Sequence, residues 1–195
     1  MLQPQNFSDF NIGQIKVPIT LNSNSKNDYA ILMLINESDE PITDYWSFPW
    51  ETDIRKSAKS EKRVLVKFEY KKKILGLVSY VVGRHQNSLV IEHLETKQNV
   101  QDRLVEPIGK WLLWYCYKVA TSFCLGTDAK DMPLIFLFSK PRAFNYYKEK
   151  IGMTYQKSIR LGEGEVYAFT DSRIRAEKYI ESLITQYGQP IFDET

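Results

Sequence analysis

The largely apolar stretch 88–96 contains three side chains that could transfer a proton. They are Glu92, His93 and Glu95, which occur within four positions. Strand alternation places Glu92 on one face and the other two on the opposite face. A carboxylate between apolar neighbours is partly desolvated, which suits a general base. Glu92 is therefore a candidate base. The alternative is a strand-edge carboxylate paired with Lys or Arg, and His93 is more simply explained as a structural histidine.

Adjacent phenols offer the complementary chemistry. Tyr146 and Tyr147 occur in the segment RAFNYYKEKIGM, directly after the apolar run PLIFLF. A phenol with a pKa near ~10 keeps its proton at neutral pH, so it can act as an acid but not as a base. The alternative is that both rings pack at the edge of a sheet.

Aromatic residues are concentrated around Pro49, where Tyr45, Trp46, Phe48 and Trp50 occur within six positions. So many rings in a loop must be buried against something. They either cap the core, which is the more frequent outcome, or line a ligand pocket. In the second case Tyr45, Trp46 and Trp50 would contact a substrate.

Hydrophobic periodicity predicts the elements that position these residues. The predicted strands are 15–19, 63–70, 74–82, 88–96, 133–138, 154–160 and 165–170. The predicted helices are 30–37 (with Asp28 as N-cap), 53–61, 105–123, 141–152 and a terminal helix after Asp171. This order predicts an α/β fold whose sheet is mixed, twisted and mostly antiparallel, with helices on both faces.

Composition limits the possible classes of function. The chain has 195 residues and a formal net charge of +2. We expect a single domain over 1–195, with an N-terminal arm (1–13) and a C-terminal helical extension (171–195). The small net charge disfavours a nucleic-acid binder. No signal peptide or membrane-length apolar run is evident, so a cytoplasmic location is expected. The few cysteines and histidines predict no metal site, and Cys116 and Cys124 are expected to be reduced thiols.

With this order of elements, the chain resembles the GNAT acetyltransferase superfamily over roughly residues 62–170. The strand IEHLET, the helix start IGKWLL, the strand PLIFLFS and the segment AFNYYKEKIGM carry the resemblance. It implies a GNAT-like fold and an N-acetyltransferase that transfers an acetyl group from acetyl-CoA, as cosubstrate, to a primary amine. In that family a Tyr in the second helix protonates the departing thiolate. Counting forward from Ala143 assigns this role to Tyr147, and Tyr146 is the second candidate. Counting back from Gly152 reaches Lys148 instead.

The resemblance also implies residues that hold the cosubstrate. Main-chain groups of Leu94, Glu95 and Thr96 would pair with pantetheine. In the family, the loop before the long helix carries the pattern Arg/Gln-x-x-Gly-x-Gly/Ala. The backbone amides of this loop hold the pyrophosphate of CoA. Gly109 matches the last position, but Pro107 stands where Gly is usual and has no N–H to donate. The residues assigned to this loop are Arg103, Ile108, Gly109 and Lys110.

Three functions therefore stay open. The first is the N-acetyltransferase, with a small-molecule or protein amine as acceptor. The second is a non-catalytic GNAT-like binding or regulatory module, favoured by Glu106 and Pro107 in the loop. The third, RNA association through the aromatic loop and the basic hairpin, is disfavoured by the near-neutral charge. The apolar side of the terminal helix leaves a homodimer possible.

Overall fold

A nine-stranded sheet runs through the part of the chain that the structure describes. The computed structural model describes residues 10–21, 27–36, 39, 46–57, 63–83, 87–97, 108–124, 132–161 and 164–192. The strands are β1 (Ile15–Thr20), β2 (Asn27–Leu34), β3 (Val64–Tyr70), β4 (Lys73–Val82), β5 (Leu89–Thr96), β6 (Ile135–Ser139), β7 (Thr154–Leu161), β8 (Gly164–Asp171) and β9 (Ile191–Phe192).

The sheet is mixed but mostly antiparallel. Its order is β7-β8-β6-β5-β4-β3-β2-β1-β9. Neighbouring strands pair in antiparallel fashion, apart from β5 and β6, which are parallel. Parallel neighbours need a crossover connection, and the helix α2 (Ile108–Phe123) lies between these two strands in the sequence. The predicted α/β class and sheet type are confirmed.

Helices cover both faces of the sheet, as expected. The helix α2 contributes nine buried side chains, from Trp111 to Ala120. It packs against α3 (Arg173–Tyr187), where the rings of Tyr117 and Tyr179 are 4.8 Å apart. A helix buried between a sheet and another helix must be apolar on most sides, which explains its sequence. Among the described residues, no helix is long and apolar enough to cross a membrane.

The opposite face carries a smaller cluster. It begins at α1 (Trp50–Ser57), whose first residue packs with Leu65 and Leu77. Val64 and Val66, which alternate with Leu65 along β3, belong instead to the larger core under α2. Alternation along the strand therefore separates two hydrophobic layers.

The helix predicted over 30–37 is wrong, because this segment contains most of β2. It pairs with β1 on one side and β3 on the other. Ala30 and Leu32 are completely buried, whereas Tyr29 is exposed. A short apolar run such as AILML fits a buried strand and a buried helix equally well by periodicity. Pairing on both edges decides in favour of the strand.

The segment after β6 is helical but not α-helical. A 3₁₀ turn covers Pro141–Ala143, and a π-helical segment covers Tyr146–Ile151. Pro141 begins the turn, where its missing N–H is not needed. Gly152 ends the π-helical segment with φ of +81°, a left-handed conformation that favours glycine. The predicted start and end of this element are confirmed.

Both cysteines lie in the core as free thiols. Burial raises the pKa of the Cys116 thiol far above its ordinary value, and it raises that of Cys124 to about 11. Thiols in this state are poor nucleophiles because the thiolate is not populated at neutral pH. The expected burial of both cysteines in the core is confirmed.

Candidate functional site

The parallel strands β5 and β6 pair over a short distance only. Their register ends at Ile91, which lies opposite Leu137. The strand β5 continues to Thr96, while its other edge stays paired with β4. Leu94, Glu95 and Thr96 therefore lie where β5 extends beyond its pairing with β6. Main-chain N–H and C=O groups at such an edge can bind another extended chain.

A β-bulge occurs in β5 where this pairing with β6 ends. Ser79 lies opposite His93 and Tyr80 lies opposite Ile91, so Glu92 is the extra residue on β5. Because of the bulge, Ile91 faces the larger core, whereas His93, two positions later, stacks on Phe48 on the other face. Bulges of this kind redirect side chains and are enriched beside active sites.

The Glu92 carboxylate forms an ion pair with Arg63. The distance from Arg63 Nε to Glu92 Oε2 is 2.5 Å, and both side chains are about one-quarter exposed. The ion-paired alternative given for Glu92 is therefore confirmed. The Glu92 side chain as a whole is partly exposed beside the bulge, whereas its Oε2 atom is buried, and its role as a base stays a prediction.

The Tyr146 hydroxyl lies between the first turn of α2 and the end of β5. A Cβ built on Gly109 would be 3.3 Å from Tyr146 Oη, 3.7 Å from Thr96 Cγ2 and 3.9 Å from Leu94 Cδ2. The glycine thus leaves room for the hydroxyl beside the stretch of β5 that extends beyond its pairing with β6. Of the two adjacent phenols, that of Tyr146 reaches this point.

Tyr147, the preferred candidate from the sequence, points into the core. Its side chain is 6% exposed, and its ring is 5.8 Å from that of Phe169. Burial strongly raises the pKa of its phenol. Lys148 is exposed, with its ammonium 5.3 Å from the centre of the Phe144 ring.

The π-helical segment explains why the two ways of counting disagree. A π-helix has i→i+5 bonds and holds one more residue per turn than an α-helix. Here the backbone carbonyl of Tyr147 accepts the N–H of Gly152 and also that of Met153, at 2.9 Å for the latter. The π-helical segment thus contains one residue more than an α-helical segment would. Counting forward from Ala143 and counting back from Gly152 therefore give positions that differ by one residue.

The start of α2 is only partly described. Gly109 and Ile108 lie in its first turn, and Ile108 packs close to Gly76 of β4. The Lys110 ammonium bonds to the Tyr187 hydroxyl at 3.2 Å, so this cation is engaged with α3. Arg103, Glu106 and Pro107 lie outside the described residues, as does most of the predicted pyrophosphate loop.

The aromatic segment 46–50 is attached to β5 through one carboxylate. Glu95 accepts the N–H and the hydroxyl of Ser47 at 2.7 and 2.6 Å, the N–H of Phe48 at 3.1 Å and the indole N–H of Trp50 at 3.0 Å. Burial favours a higher pKa for Glu95, but these hydrogen bonds outweigh it and hold the pKa below its ordinary value.

The rings of this segment mostly fill the small core. Trp50 is 1% exposed, and Trp46 packs on it edge to face with the ring centres 6.3 Å apart. The core-capping alternative therefore describes Trp50. Trp46 is partly exposed, with the Lys97 ammonium 5.5 Å from its ring. Tyr45 lies outside the described residues.

A cleft of about 260 Å³ opens beside the end of β6. Its lining residues are Pro141, Arg142, Phe144, Asn145, Tyr155 and Tyr167. Arg142 donates from Nη2 to the hydroxyl of Ser47 at 3.2 Å. Sequence analysis missed Arg142 and Ser47; an arginine directly after a strand–proline boundary was the available signal. Among the described residues, no group of three or more His, Cys, Asp or Glu side chains could hold a metal ion.

Several solved protein structures share this architecture. An uncharacterised protein from Bacillus halodurans matches with a TM-score of 0.60 and 11% identity, over 91% of this chain and 99% of its own. An acetyltransferase from Salmonella typhimurium that modifies the N-terminal serine of ribosomal protein L7/L12 matches with a TM-score of 0.54 and 11% identity, over 73% and 94%. The aminoglycoside acetyltransferase AAC(6')-Ib, in complex with coenzyme A and kanamycin, matches with a TM-score of 0.53 and 15% identity, over 76% and 98%.

The fold is that of the GNAT acetyltransferases. No protein-family model and no curated protein sequence matches the chain. At 11–15% identity the similarity establishes the GNAT fold alone. The two acetyltransferases act on a ribosomal protein and, judging by the complex, on an aminoglycoside, so a shared GNAT fold does not determine the acceptor.

Proposed function

We propose that this chain is an N-acetyltransferase that moves an acetyl group from acetyl-CoA to a primary amine. One observation carries the proposal: the Tyr146 hydroxyl stands against Gly109, next to Leu94 and Thr96, where β5 extends beyond its pairing with β6. A proton donor, a helix start and a strand edge with no partner among the described strands then meet at one point. That combination suits the release of a thiolate from an extended thioester.

The residues around this point fit an extended, amide-bearing cosubstrate. Leu94, Glu95 and Thr96 would offer main-chain groups to it. The amides of Ile108 and Gly109 in the first turn of α2 would favour an anion, because a helix start presents unpaired N–H groups. Arg103 would add a cation from the preceding loop. Lys110, bonded to Tyr187, would contribute its main chain and not its charge.

Each reacting group then has an assigned task. Glu92 would accept a proton from the acceptor amine, directly or through water, after loosening its contact with Arg63. Main-chain N–H groups at the bulge would stabilise the oxygen of the thioester carbonyl as charge develops on it. The amine nitrogen bonds to the carbonyl carbon, the carbon–sulfur bond breaks, and Tyr146 would donate its proton to the sulfur. We assign this donor role to Tyr146 and no longer to Tyr147, because the Tyr147 phenol is enclosed in the core.

The first experiment measures thermal stability with and without acetyl-CoA. A ligand at about 100 times its dissociation constant adds about 2.7 kcal/mol to the free energy of unfolding. For a chain of this length that corresponds to a rise in Tm of roughly 5–10 °C. Release of free thiol in the presence of an amine panel then measures catalysis. Failure of millimolar acetyl-CoA to raise Tm would reject the proposal.

A non-catalytic GNAT-like module is the second candidate. Pro107 removes an N–H donor from the expected pyrophosphate loop, and Glu106 adds a negative charge beside it. Both features would weaken the binding of a diphosphate. Under this alternative acetyl-CoA raises Tm weakly or not at all, and no amine in the panel releases thiol.

A further inference from the structure

Arg142, an exposed side chain, lies at the end of a relay of hydrogen bonds that starts on β5. The Ser47 hydroxyl donates to Glu95 Oε1 at 2.6 Å and accepts from Arg142 Nη2 at 3.2 Å. A guanidinium has five N–H donors. In the described part of the chain, the bond to Ser47 is the hydrogen bond found for Arg142. The relay therefore orients the guanidinium while leaving most of its donors for a ligand.

The cleft beside Arg142 has aromatic walls. The rings of Phe144 and Tyr167 are 4.9 Å apart, those of Phe144 and Tyr155 are 5.1 Å apart, and all three contacts within this trio are edge-to-face. The walls suit a flat or apolar body. A volume of about 260 Å³ lies just below the usual ~300–1,000 Å³ range of small-molecule sites, so a small ligand is favoured.

The charge of the lining residues selects the ligand further. Arg142 is the charged residue among the six that line the cleft. The nearby carboxylate of Glu165 accepts the Tyr167 hydroxyl at 3.2 Å. A cation with free donors beside aromatic walls matches an anionic group attached to an apolar body, and arginine binds planar carboxylates through two parallel N–H bonds.

Chain connectivity links the cleft to the proposed reaction site. Asn145, which lines it, immediately precedes Tyr146. Glu95, which anchors the relay, lies three residues after the bulge at Glu92, about 10 Å along an extended strand. A molecule in the cleft could therefore direct an amine towards the end of β5.

We propose that this cleft binds the carboxylate of the acceptor, so that the acceptor is a small amino carboxylic acid with an apolar or aromatic body. The assignment of the cleft to the acceptor rests on the proposed function; the binding of a carboxylate there does not. Arg142 is the binding residue, and Ser47 is a positioning residue that acts through it.

The test compares matched ligands that differ only in the carboxylate. Binding of phenylacetate and phenylacetamide is measured by NMR titration, without acetyl-CoA. Phenylacetate should bind about ten- to a hundredfold more tightly, as expected for charge-assisted hydrogen bonds. Arg142→Ala should remove this preference, and Arg142→Lys should keep part of it. Lys157→Ala, which removes a charge from an exposed position of β7, should leave the preference unchanged.

Ser47→Ala provides the readout for positioning. A loosened relay should lower the phenylacetate preference about threefold or more while phenylacetamide binds as before, whereas general loosening of the fold would weaken both ligands equally. Equal binding of the two ligands to the wild type, or an unchanged preference in Arg142→Ala, would overturn the proposal. So would Arg142→Ala weakening acetyl-CoA binding while leaving phenylacetate binding intact, since the anion would then be a phosphate of the cosubstrate.

An activity comparison separates this proposal from the proposed function. With acetyl-CoA present, phenylalanine should be acetylated with a lower KM than phenethylamine, and Arg142→Ala should remove the difference. A protein that binds phenylacetate selectively but shows no acetyl-CoA shift would refute the proposed function and retain the carboxylate site. A protein that releases thiol but acetylates phenethylamine as readily as phenylalanine would support the proposed function and refute the carboxylate site.

Discussion

Tyr146 and Gly109 fit together so closely that a side chain at position 109 would press on the Tyr146 hydroxyl. The distance from the Tyr146 hydroxyl to a Cβ at position 109 would be 3.3 Å, tighter than an ordinary van der Waals contact. The glycine thus fixes where the phenol ends, and the phenol ends beside the strand edge that the proposed cosubstrate would use. The relationship joins α2, β5 and the π-helical segment at one point.

We predict that Gly109→Ala separates activity from stability. Alanine favours helix over glycine by about 0.5–1 kcal/mol, so the variant should unfold at a Tm equal to or slightly above that of the wild type. Its Cβ displaces the Tyr146 hydroxyl, so thiol release should fall by about tenfold or more. Differential scanning calorimetry and a thiol assay measure the two effects. A variant with full activity would show that the position of the phenol is unimportant.

We predict that Glu92→Gln impairs activity far more than Arg63→Ala does. If Glu92 is the base, Glu92→Gln should lower kcat by about 100-fold with little change in KM for acetyl-CoA. Arg63→Ala removes the ion-pair partner at 2.5 Å and leaves the carboxylate in place, so the variant should keep most of its activity. If Glu92→Gln retains the wild-type kcat, the carboxylate serves only its ion pair.

We predict that Glu95 makes stability depend on pH in the acid range. The pKa of Glu95 is lowered in the folded protein, so its carboxylate contributes stability above the unfolded value near 4.5 and loses that contribution as the pH falls through the lower folded value. At pH 7 Glu95→Gln should destabilise the fold by about 1–3 kcal/mol, because hydrogen bonds to a charged acceptor are lost.

The measurement is urea unfolding of Glu95→Gln and wild type between pH 3 and pH 7. The difference between their free energies of unfolding should shrink as the pH falls below about 4.5, since the wild-type side chain then becomes neutral as well. Glu181→Gln, at an exposed position of α3, is the control and should differ little from wild type at any pH. A difference that stays constant with pH would show that the charge of Glu95 does not matter.

Much of the fold could be predicted because the decisive patterns are local. The helix α2 follows from apolar residues on nearly all its sides, and β6 follows from an apolar run before a proline. The strand β2 could not be predicted, since AILML is compatible with either structure. Its two partners, which decide the matter, lie in separate parts of the sequence.

The site was harder to predict from the sequence because its key contacts join residues that are far apart in the chain. Ser47 meets Glu95 across 48 positions and Arg142 across 95, and no spacing rule predicts such contacts. The choice between Tyr146 and Tyr147 depended on a π-helical segment, which has no reliable sequence signature. The sequence nevertheless narrowed the acid to neighbouring residues and identified the strand beside which Tyr146 lies.

The most direct test of the account compares thiol release by Tyr146→Phe and Tyr147→Phe at saturating acetyl-CoA. Each variant loses one hydroxyl and keeps its ring, so packing changes are matched as closely as the chain allows. Tyr146→Phe should lower kcat by about 100-fold while preserving the rise in Tm with acetyl-CoA, and Tyr147→Phe should stay close to wild type. If Tyr146→Phe turns over at the wild-type rate, or if Tyr147→Phe is the impaired variant, the assignment of the acid is contradicted.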